Sequence, residues 1–510
     1  MQEKFKKRLP GSLCIYFTLL LACTGAFILA VVEIARFSGL DADASEYTNL
    51  AEESLFAGYQ PVLLKEYDMF WLDGCFGKES FSIAAGEAEM EALLYDNLRD
   101  RARNYYRMQV EGVTTETYLL ATDREGKVFQ SQAAAAYRER FGEIAAEEIL
   151  SRIKGIQDTK NRGENPEEKI SPAESTLESI QKQAAQEAAQ QSSGDSLTGG
   201  ANGKAAPSPM ASPRGENLPA QSGGNPLEAN RKLRSRGVLS LVLPSGAVLS
   251  EKRADTKNCL FKRSCKKGTD REAFKTGTMD RIFMQQYIKR YGGNYLEPKV
   301  SGGLSYGEEY VIAGKASDRE NLEYVVKELL LVREIANFAY LATDGAKQAE
   351  ALTMATTLAG ISGNPTLIEV VKQGILAVWA YGESICDVKI LLSGGKVPLM
   401  KTAADWNTDL SHIGDVVSGN YGEAGHGLCY EEYLQAFMYA LSTKKASCRC
   451  MDLMEFTMEK SGYKHAKMDG MILRMKIQAE YSADTIFCGL LGEDTLGGCS
   501  FEKESSYCYR

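Results

Sequence analysis

From Leu13 to Val32 the chain carries no charged residue. Twenty residues at about 1.5 Å each make a helix of roughly 30 Å, the thickness of a bilayer's hydrocarbon core. Lys4, Lys6, Lys7 and Arg8 precede the run, with Pro10-Gly11 between, and Glu33, Arg36, Asp41, Asp43 and Glu46 follow it. Basic residues before a span and acidic ones after it place the N-terminus inside and the bulk outside. The expectation is a cytoplasmic basic stub over 1–11, a transmembrane helix over 12–33, and a single-pass cell-membrane protein whose C-terminal bulk is extracytoplasmic. Two other readings compete. A cleaved secretory signal has an apolar core of only about 7–15 residues. A lipoprotein reading of Leu20-Leu21-Ala22-Cys23 requires polar residues after the cysteine, yet the sequence stays apolar through Val32. A permanent anchor fits better than either.

Composition sharpens this picture. The 510 residues carry a net charge of −9. Four basic residues against Glu3 give the first eleven +3, which leaves −12 on the remainder. An acidic chain argues against nucleic acid as a partner. A hydrophobic content of 44% with 25% charged residues excludes wholesale disorder, a collagen-like chain and a polytopic membrane protein. Twelve cysteines are too sparse for a disulfide-stapled miniprotein, and three histidines (His412, His426, His465) restrict histidine chemistry.

Beyond the span, no glycine or proline cluster interrupts the chain before Gly58-Tyr59-Gln60-Pro61. Tyr47, Leu50, Ala51, Ser54 and Leu55 recur at helical spacing. That periodicity fits a stalk continuing the anchor and, equally, a separate amphipathic helix packed on the ectodomain. Residues 34–156 read as stalk plus a first ectodomain segment: a helix over Glu87–Arg107, a hairpin of Thr115–Ala121 with Lys127–Phe129, and a helix over Gln130–Ile153. Residues 157–232 hold seven of the thirteen prolines and no aromatic residue, so they read as a disordered linker or insertion. Residues 233–510 form the main segment. There Gly237–Leu243 and Glu308–Ala313 read as β, as does Met471–Tyr481. Helices are expected over Met279–Tyr291, from Ser317 as cap to Thr343, up to Gly360, after Asn364-Pro365, and over Tyr430–Leu441 and Cys450–Glu459. The fold class is α+β: a helix-dominant ectodomain with small β elements on one N-terminal transmembrane helix.

The inventory for chemistry is thin. Gly303-Leu304-Ser305-Tyr306-Gly307 matches the nucleophile-elbow pattern, with His412 or His426 downstream, but no strand precedes the serine as that motif requires. His426, Cys429, Cys448 and Cys450 offer four soft ligands at a spacing tighter than structural zinc sites use. Gly394-Gly395-Lys396 lacks the remaining residues of a phosphate loop. Lys262, Arg263, Lys266 and Lys267 make a basic cluster, read as a solvated loop before an anion-binding patch. Cys488, Cys499 and Cys508 cluster near the C-terminus, where disulfides are possible without a readable pairing. Glu66–Asp73 mixes acidic and aromatic residues and reads as the segment pinning the stalk to the ectodomain. No residue is assigned a catalytic, cofactor-binding or metal-binding role, and no cofactor is expected.

Several stretches together resemble one family. They are Pro10–Phe17, Val32–Arg36, Ala57–Gly74, Glu308–Lys315 with Asn321-Leu322, Val332–Asn337, Trp379–Ser384, Gly395–Leu399 and Met451–Glu455. The pattern resembles an uncharacterised family of membrane-anchored proteins of Gram-positive, clostridia-like bacteria, associated with tight-adherence (Flp) pilus systems. The anchor is similar to that of TadE/TadG-like minor pseudopilins. The resemblance implies a non-enzymatic accessory or minor pseudopilin-like component of a pilus or secretion system, with the lipid bilayer and envelope proteins as partners. One departure stands out. Prepilins are cut after a glycine with a glutamate five residues beyond, whereas here the fifth residue after Gly11 is Tyr16, and Glu33 lies past the apolar run. The alternatives are an extracytoplasmic sensor or ligand-binding ectodomain and, third, a hydrolase using Ser305.

Overall fold

The computed structural model describes residues 11–99, 104–138, 143–194, 224–244, 246–272, 277, 279–419, 421, 425–486 and 499–509. The chain divides into two compact units. The first comprises Met1–Ala136, Asn258–Asp280 and Met451–Arg510, and the second Tyr137–Lys257 and Arg281–Cys450.

The first unit is organised by one helix, α1, running unbroken from Gly11 to Phe56. Its first half is exposed, with Ile15, Leu21 and Phe27 each about two-thirds or more accessible. It is long and apolar enough to cross a membrane by length and composition. Burial starts abruptly at Glu33 and continues through Arg36, Leu40, Ala44, Thr48, Ala51 and Leu55. That spacing of three and four is one helical face. It differs from the face expected from sequence, since Leu50 is exposed. The helix is therefore both continuous and packed, which merges the two expectations.

Four antiparallel strands accompany α1. Met471–Ala483 is central and pairs along one side with Met108–Leu120. Its other side pairs with Cys499–Cys508 and then, end to end with that strand, with Leu72–Asp73. The 24 residues from Glu33 to Phe56 rise about 35 Å. The ten-residue strand Cys499–Cys508 covers about 34 Å, so helix and strand match in length. Carboxylates occupy donors along the sheet margins. Glu87 accepts from Thr115 N at 2.7 Å, Glu91 from Val113 N at 3.2 Å, and Glu52 of α1 from Tyr507 N at 3.0 Å. Satisfying edge donors in this way blocks sheet extension.

The second unit is a helical cluster around Pro365–Leu392, which is buried almost throughout its second half. It packs against Asp318–Thr343, Gly345–Ala359 and Glu167–Gly194. The expected caps are present: Ser317 accepts from Glu320 N at 3.3 Å, and Asn364 accepts from Thr366 N at 2.9 Å ahead of Pro365.

Several expectations are corrected. The segment 157–232 is largely helical where it is described, in Glu143–Arg162, Glu167–Gly194 and Pro226–Arg234 with short non-helical joints at 163–166 and 224–225; residues 195–223 lie outside the described residues. Ile170, Ala173, Leu177 and Ile180 form a buried stripe that the polar composition concealed. Gly237–Leu243 and Glu308–Ala313 are not strands but hold the helices Val238–Val242 and Gly307–Ala313. Short, fully buried apolar runs carry no periodicity to separate helix from strand. Gly314, left-handed at φ 66°, was the readable helix-stop signal. Lys127–Phe129 is helical, entered through the left-handed residues Arg124, Glu125 and Gly126, so no local hairpin forms. The strand Met108–Leu120 finds its partner some 360 residues later.

Helix Glu167–Gly194 approaches Pro365–Leu392 closely because position 374 has no side chain: a Cβ on Gly374 would stand 2.1 Å from the Cβ of Ala173. Gly374→Ala is expected to destabilise by about 1–3 kcal/mol through overpacking, measured by chemical denaturation. Adding Ala173→Gly should recover most of that loss.

Candidate functional site

Three places in the molecule concentrate features beyond ordinary packing. The first is the outer half of α1 and its attachment. Arg36 donates to Glu33 at 2.6 Å and to the carbonyls of Asp484 and Tyr106, each at 2.8 Å. Higher along the helix, Thr48 shares a 2.6 Å hydrogen bond with Tyr481, and Glu52 accepts from the Ser505 hydroxyl as well as from Tyr507 N. Burial raises the Glu52 carboxyl to about 7, against the pull of those two bonds. At the end of the helix Tyr509 donates its hydroxyl to the Phe56 carbonyl.

The second is an aromatic groove at that same end, of about 1100 Å³ and lined by Glu53, Phe56, Tyr59, Phe70, Tyr507 and Tyr509 among others. Tyr59 meets Phe70 edge-on at 5.1 Å, Phe70 stacks on Tyr509 at 5.7 Å, and Phe56 lies 4.7 Å from Tyr507. Phe70 is 41% exposed and Glu53 is exposed, so rings and a carboxylate face the opening together. The Glu66–Asp73 segment behaves as the sequence suggested. Tyr67 hydrogen-bonds Thr457 at 2.7 Å, Leu72 pairs with Ile472, and Phe70 reaches α1 through Tyr509 and Phe56.

The third is buried charge in the second unit. Arg333 and Asp387 are fully buried and pair at 2.9 Å. Lys401 lies 2.6 Å from Asp387 and also pairs with Glu383. Arg333 further donates to the carbonyls of Pro398 and Leu399 and to Tyr433, while Glu383 accepts from Thr408 Oγ1 at 2.7 Å and from Asn407 N at 3.0 Å. Two cations and two carboxylates balance. Burial would raise the Asp387 carboxyl, but Arg333 and Lys401 hold it below the usual carboxylate range. Enclosed and neutral overall, the group fixes packing and presents no reactive atom to solvent. Nearby in sequence, Glu308 and Glu309 are fully buried, with one oxygen of each lacking a hydrogen bond. Burial, with Glu309 adding to it, raises Glu308 to about 8; burial raises Glu309 to about 7 despite the Tyr430 hydroxyl it accepts at 2.7 Å.

The residues singled out from sequence are not assembled into chemistry. Ser305 donates its hydroxyl to the Lys299 carbonyl at 3.0 Å and forms no hydrogen bond to a histidine; no strand precedes it, although a helix follows. His412 lies 2.9 Å from its neighbour Ser411, and exposed His426 lies 3.2 Å from Asp405. Cys429 caps the helix Tyr430–Ala440, while Cys448 and Cys450 are buried in Thr443–Lys460. Among the described residues no group of three or more His, Cys, Asp or Glu could hold a metal. The described cysteines form no disulfide, and Cys488 lies outside the described residues. Gly394-Gly395 is a turn closing a helix, and Lys396 pairs with Cys429. The basic cluster is partly consumed: Arg263 grips Glu455 through bonds of 2.6 and 2.9 Å and Asp469 at 2.8 Å, and Lys266 adds a 3.3 Å contact to Asp469.

Sequence reading missed the buried networks because lone charged residues inside apolar runs look like surface positions. A signal was present. Val332–Asn337, Trp379–Ser384 and Gly395–Leu399, three of the stretches that carry the family resemblance, supply Arg333, Asn337, Glu383 and the carbonyls of Pro398 and Leu399.

Two outcomes follow. Asp387→Ala leaves Arg333 and Lys401 without their shared carboxylate, and a cost of about 3–5 kcal/mol is expected in denaturant titrations. The Glu308 carboxyl is near 4.5 when unfolded and about 8 when folded. Its contribution to stability is therefore full below pH 4.5 and is lost as pH rises through 8. Glu308→Gln should raise the melting temperature at pH 9 relative to the parent protein, and the advantage should shrink toward pH 4.

No curated protein and no solved structure matches the chain. The description of one family, a family of unknown function (DUF5702), matches residues 216–483, just over half of the chain, taking in the whole of the Arg333–Asp387–Lys401 network and the central strand Met471–Ala483. The chain thus belongs to the DUF5702 family.

Proposed function

We propose that this protein is a non-enzymatic, single-pass membrane protein of the cell envelope, with its folded bulk extracytoplasmic. In this reading it serves as an accessory or minor pseudopilin-like component of a tight-adherence pilus or secretion system. The observation that carries the reading is the division of α1. One unbroken helix is exposed and uncharged over Leu13–Val32, then packed against an antiparallel sheet from Glu33 to Phe56. A helix half given to lipid and half to a folded head is the form such an anchor takes, and it transmits position rigidly from one to the other. The basic stub before the span and the acidic residues after it support the orientation. The Ser305 hydroxyl donates to the Lys299 carbonyl instead of meeting a base, which weighs against the hydrolase reading. Carbonate washing should leave the full chain in the membrane fraction and release a variant lacking 13–32. Crosslinking in cells should then co-purify envelope or pilus components. Release of the full chain by carbonate sinks the anchor, and absence of such components together with unchanged piliation in a deletion strain sinks the pilus role.

A second reading, a ligand-binding ectodomain, is favoured by the aromatic groove. Rings flanking a carboxylate suit a sugar ring or an organic cation. A thermal-shift screen of wall oligosaccharides and quaternary ammonium compounds tests it. A stabilising hit that disappears in Phe70→Ala supports the groove, and a screen without hits removes it.

A further inference from the structure

We infer that the Asn104–Arg107 turn of the first unit is a second membrane contact, with Tyr105 seated in the headgroup layer beside the span. The inference rests on the anchor reading and adds to it a surface and an orientation. Tyr105 is 80% exposed, unusual for a tyrosine whose neighbours are held in place. Its turn is braced rather than loose. The Asn104 side chain accepts from Met108 N at 2.8 Å and donates to the carbonyls of Met108 at 2.8 Å and Leu98 at 3.1 Å. Arg107 is left-handed at φ 58°, and the ring of Tyr106 meets that of Tyr105 edge-on at 5.3 Å.

The level of the turn along α1 is fixed by two contacts. The Tyr106 carbonyl accepts from Arg36 at 2.8 Å. The Tyr106 ring lies across Gly39, where a Cβ would come within 2.4 Å of its hydroxyl. Arg36 stands four residues beyond Val32, about 6 Å along the helix axis. A bilayer is about 40–45 Å thick with its headgroups and about 30 Å without them, which leaves roughly 5–8 Å of interfacial layer per side. If the span fills the hydrocarbon, Arg36 and the turn tied to it lie in that layer or at its outer rim. Ile34, 65% exposed, continues the apolar surface of the span toward the same level. Tyrosine is enriched at this depth because its ring is apolar and its hydroxyl is wet. The exposed guanidinium of Arg107 beside it suits lipid phosphates.

The consequence is a fixed stance. The sheet end bearing Met108, Ala483 and Cys499 faces the bilayer, and the aromatic groove opens about 35 Å farther out, the length of α1 from Glu33 to Phe56. The test uses the full chain in phosphatidylcholine–phosphatidylglycerol vesicles, with part of the lipid brominated near the carbonyl end of the acyl chains. Phe27→Trp, Tyr105→Trp and Phe70→Trp are each read against the wild-type protein, whose own tryptophans set the background. Bromolipid is expected to quench the added emission at 27 and at 105 and to leave that at 70 unchanged. Quenching at 27 without quenching at 105 overturns the contact and leaves the anchor standing. No quenching at 27 overturns the anchor reading, and the contact with it. Equal quenching at 70 and 105 overturns the stance.

Discussion

The bonds that Arg36 makes to Glu33, Asp484 and Tyr106 are the hinge on which the first unit depends. They fall about one turn beyond Val32, the end of the uncharged run, where the helix passes from exposure to packing. A charged pair buried at this place is costly unless bonded; both guanidinium Nη groups find partners, and the two backbone carbonyls among them come from the sheet end, while Nε is left without one. From this point upward, each turn of α1 places a residue against the sheet. Thr48 meets Tyr481, Glu52 meets Tyr507 and Ser505, and Phe56 meets Tyr509. The helix thus sets the register of a sheet whose strands come from three distant parts of the chain.

The second unit solves a different problem in a related way. Its central helix Pro365–Leu392 is covered on several sides, so apolar residues alone would allow its neighbours to slide or rotate. The Arg333–Asp387–Lys401–Glu383 group adds direction: each charge has partners at fixed angles, and a shifted helix would strand one of them in a low-dielectric interior. Gly374 against Ala173 fixes the distance between helices as the charges fix their rotation.

Much of this was legible in sequence where the signal is local. The uncharged run of α1, the caps at Ser317 and Asn364, the break at Thr343–Gly345 and the strand at Met471 all follow from neighbours within a few residues. The failures share a cause. Glu308–Ala313 and Val238–Val242 are too short and too buried to show a period. The stripe of Ile170, Ala173, Leu177 and Ile180 is diluted by glutamines and alanines until composition suggests no core at all. The groove was half-visible, since Glu66–Asp73 drew attention as an aromatic segment, but its other wall comes from Tyr507 and Tyr509 at the far end of the chain.

The sequence by itself determined the long uncharged helix, the charge contrast on either side of it, the helix-dominant α+β class and the poverty of catalytic groupings. These are properties of composition and spacing, and solvent acts on them directly. Only the tertiary structure decided that the outer half of α1 is packed, with Glu33, Arg36, Thr48 and Glu52 set among apolar residues on its buried face, that four charges meet inside one helical cluster, and that rings from Phe56, Phe70 and Tyr509 share one groove. Those facts depend on which distant segments face each other, and pairing across hundreds of residues leaves no local period to read.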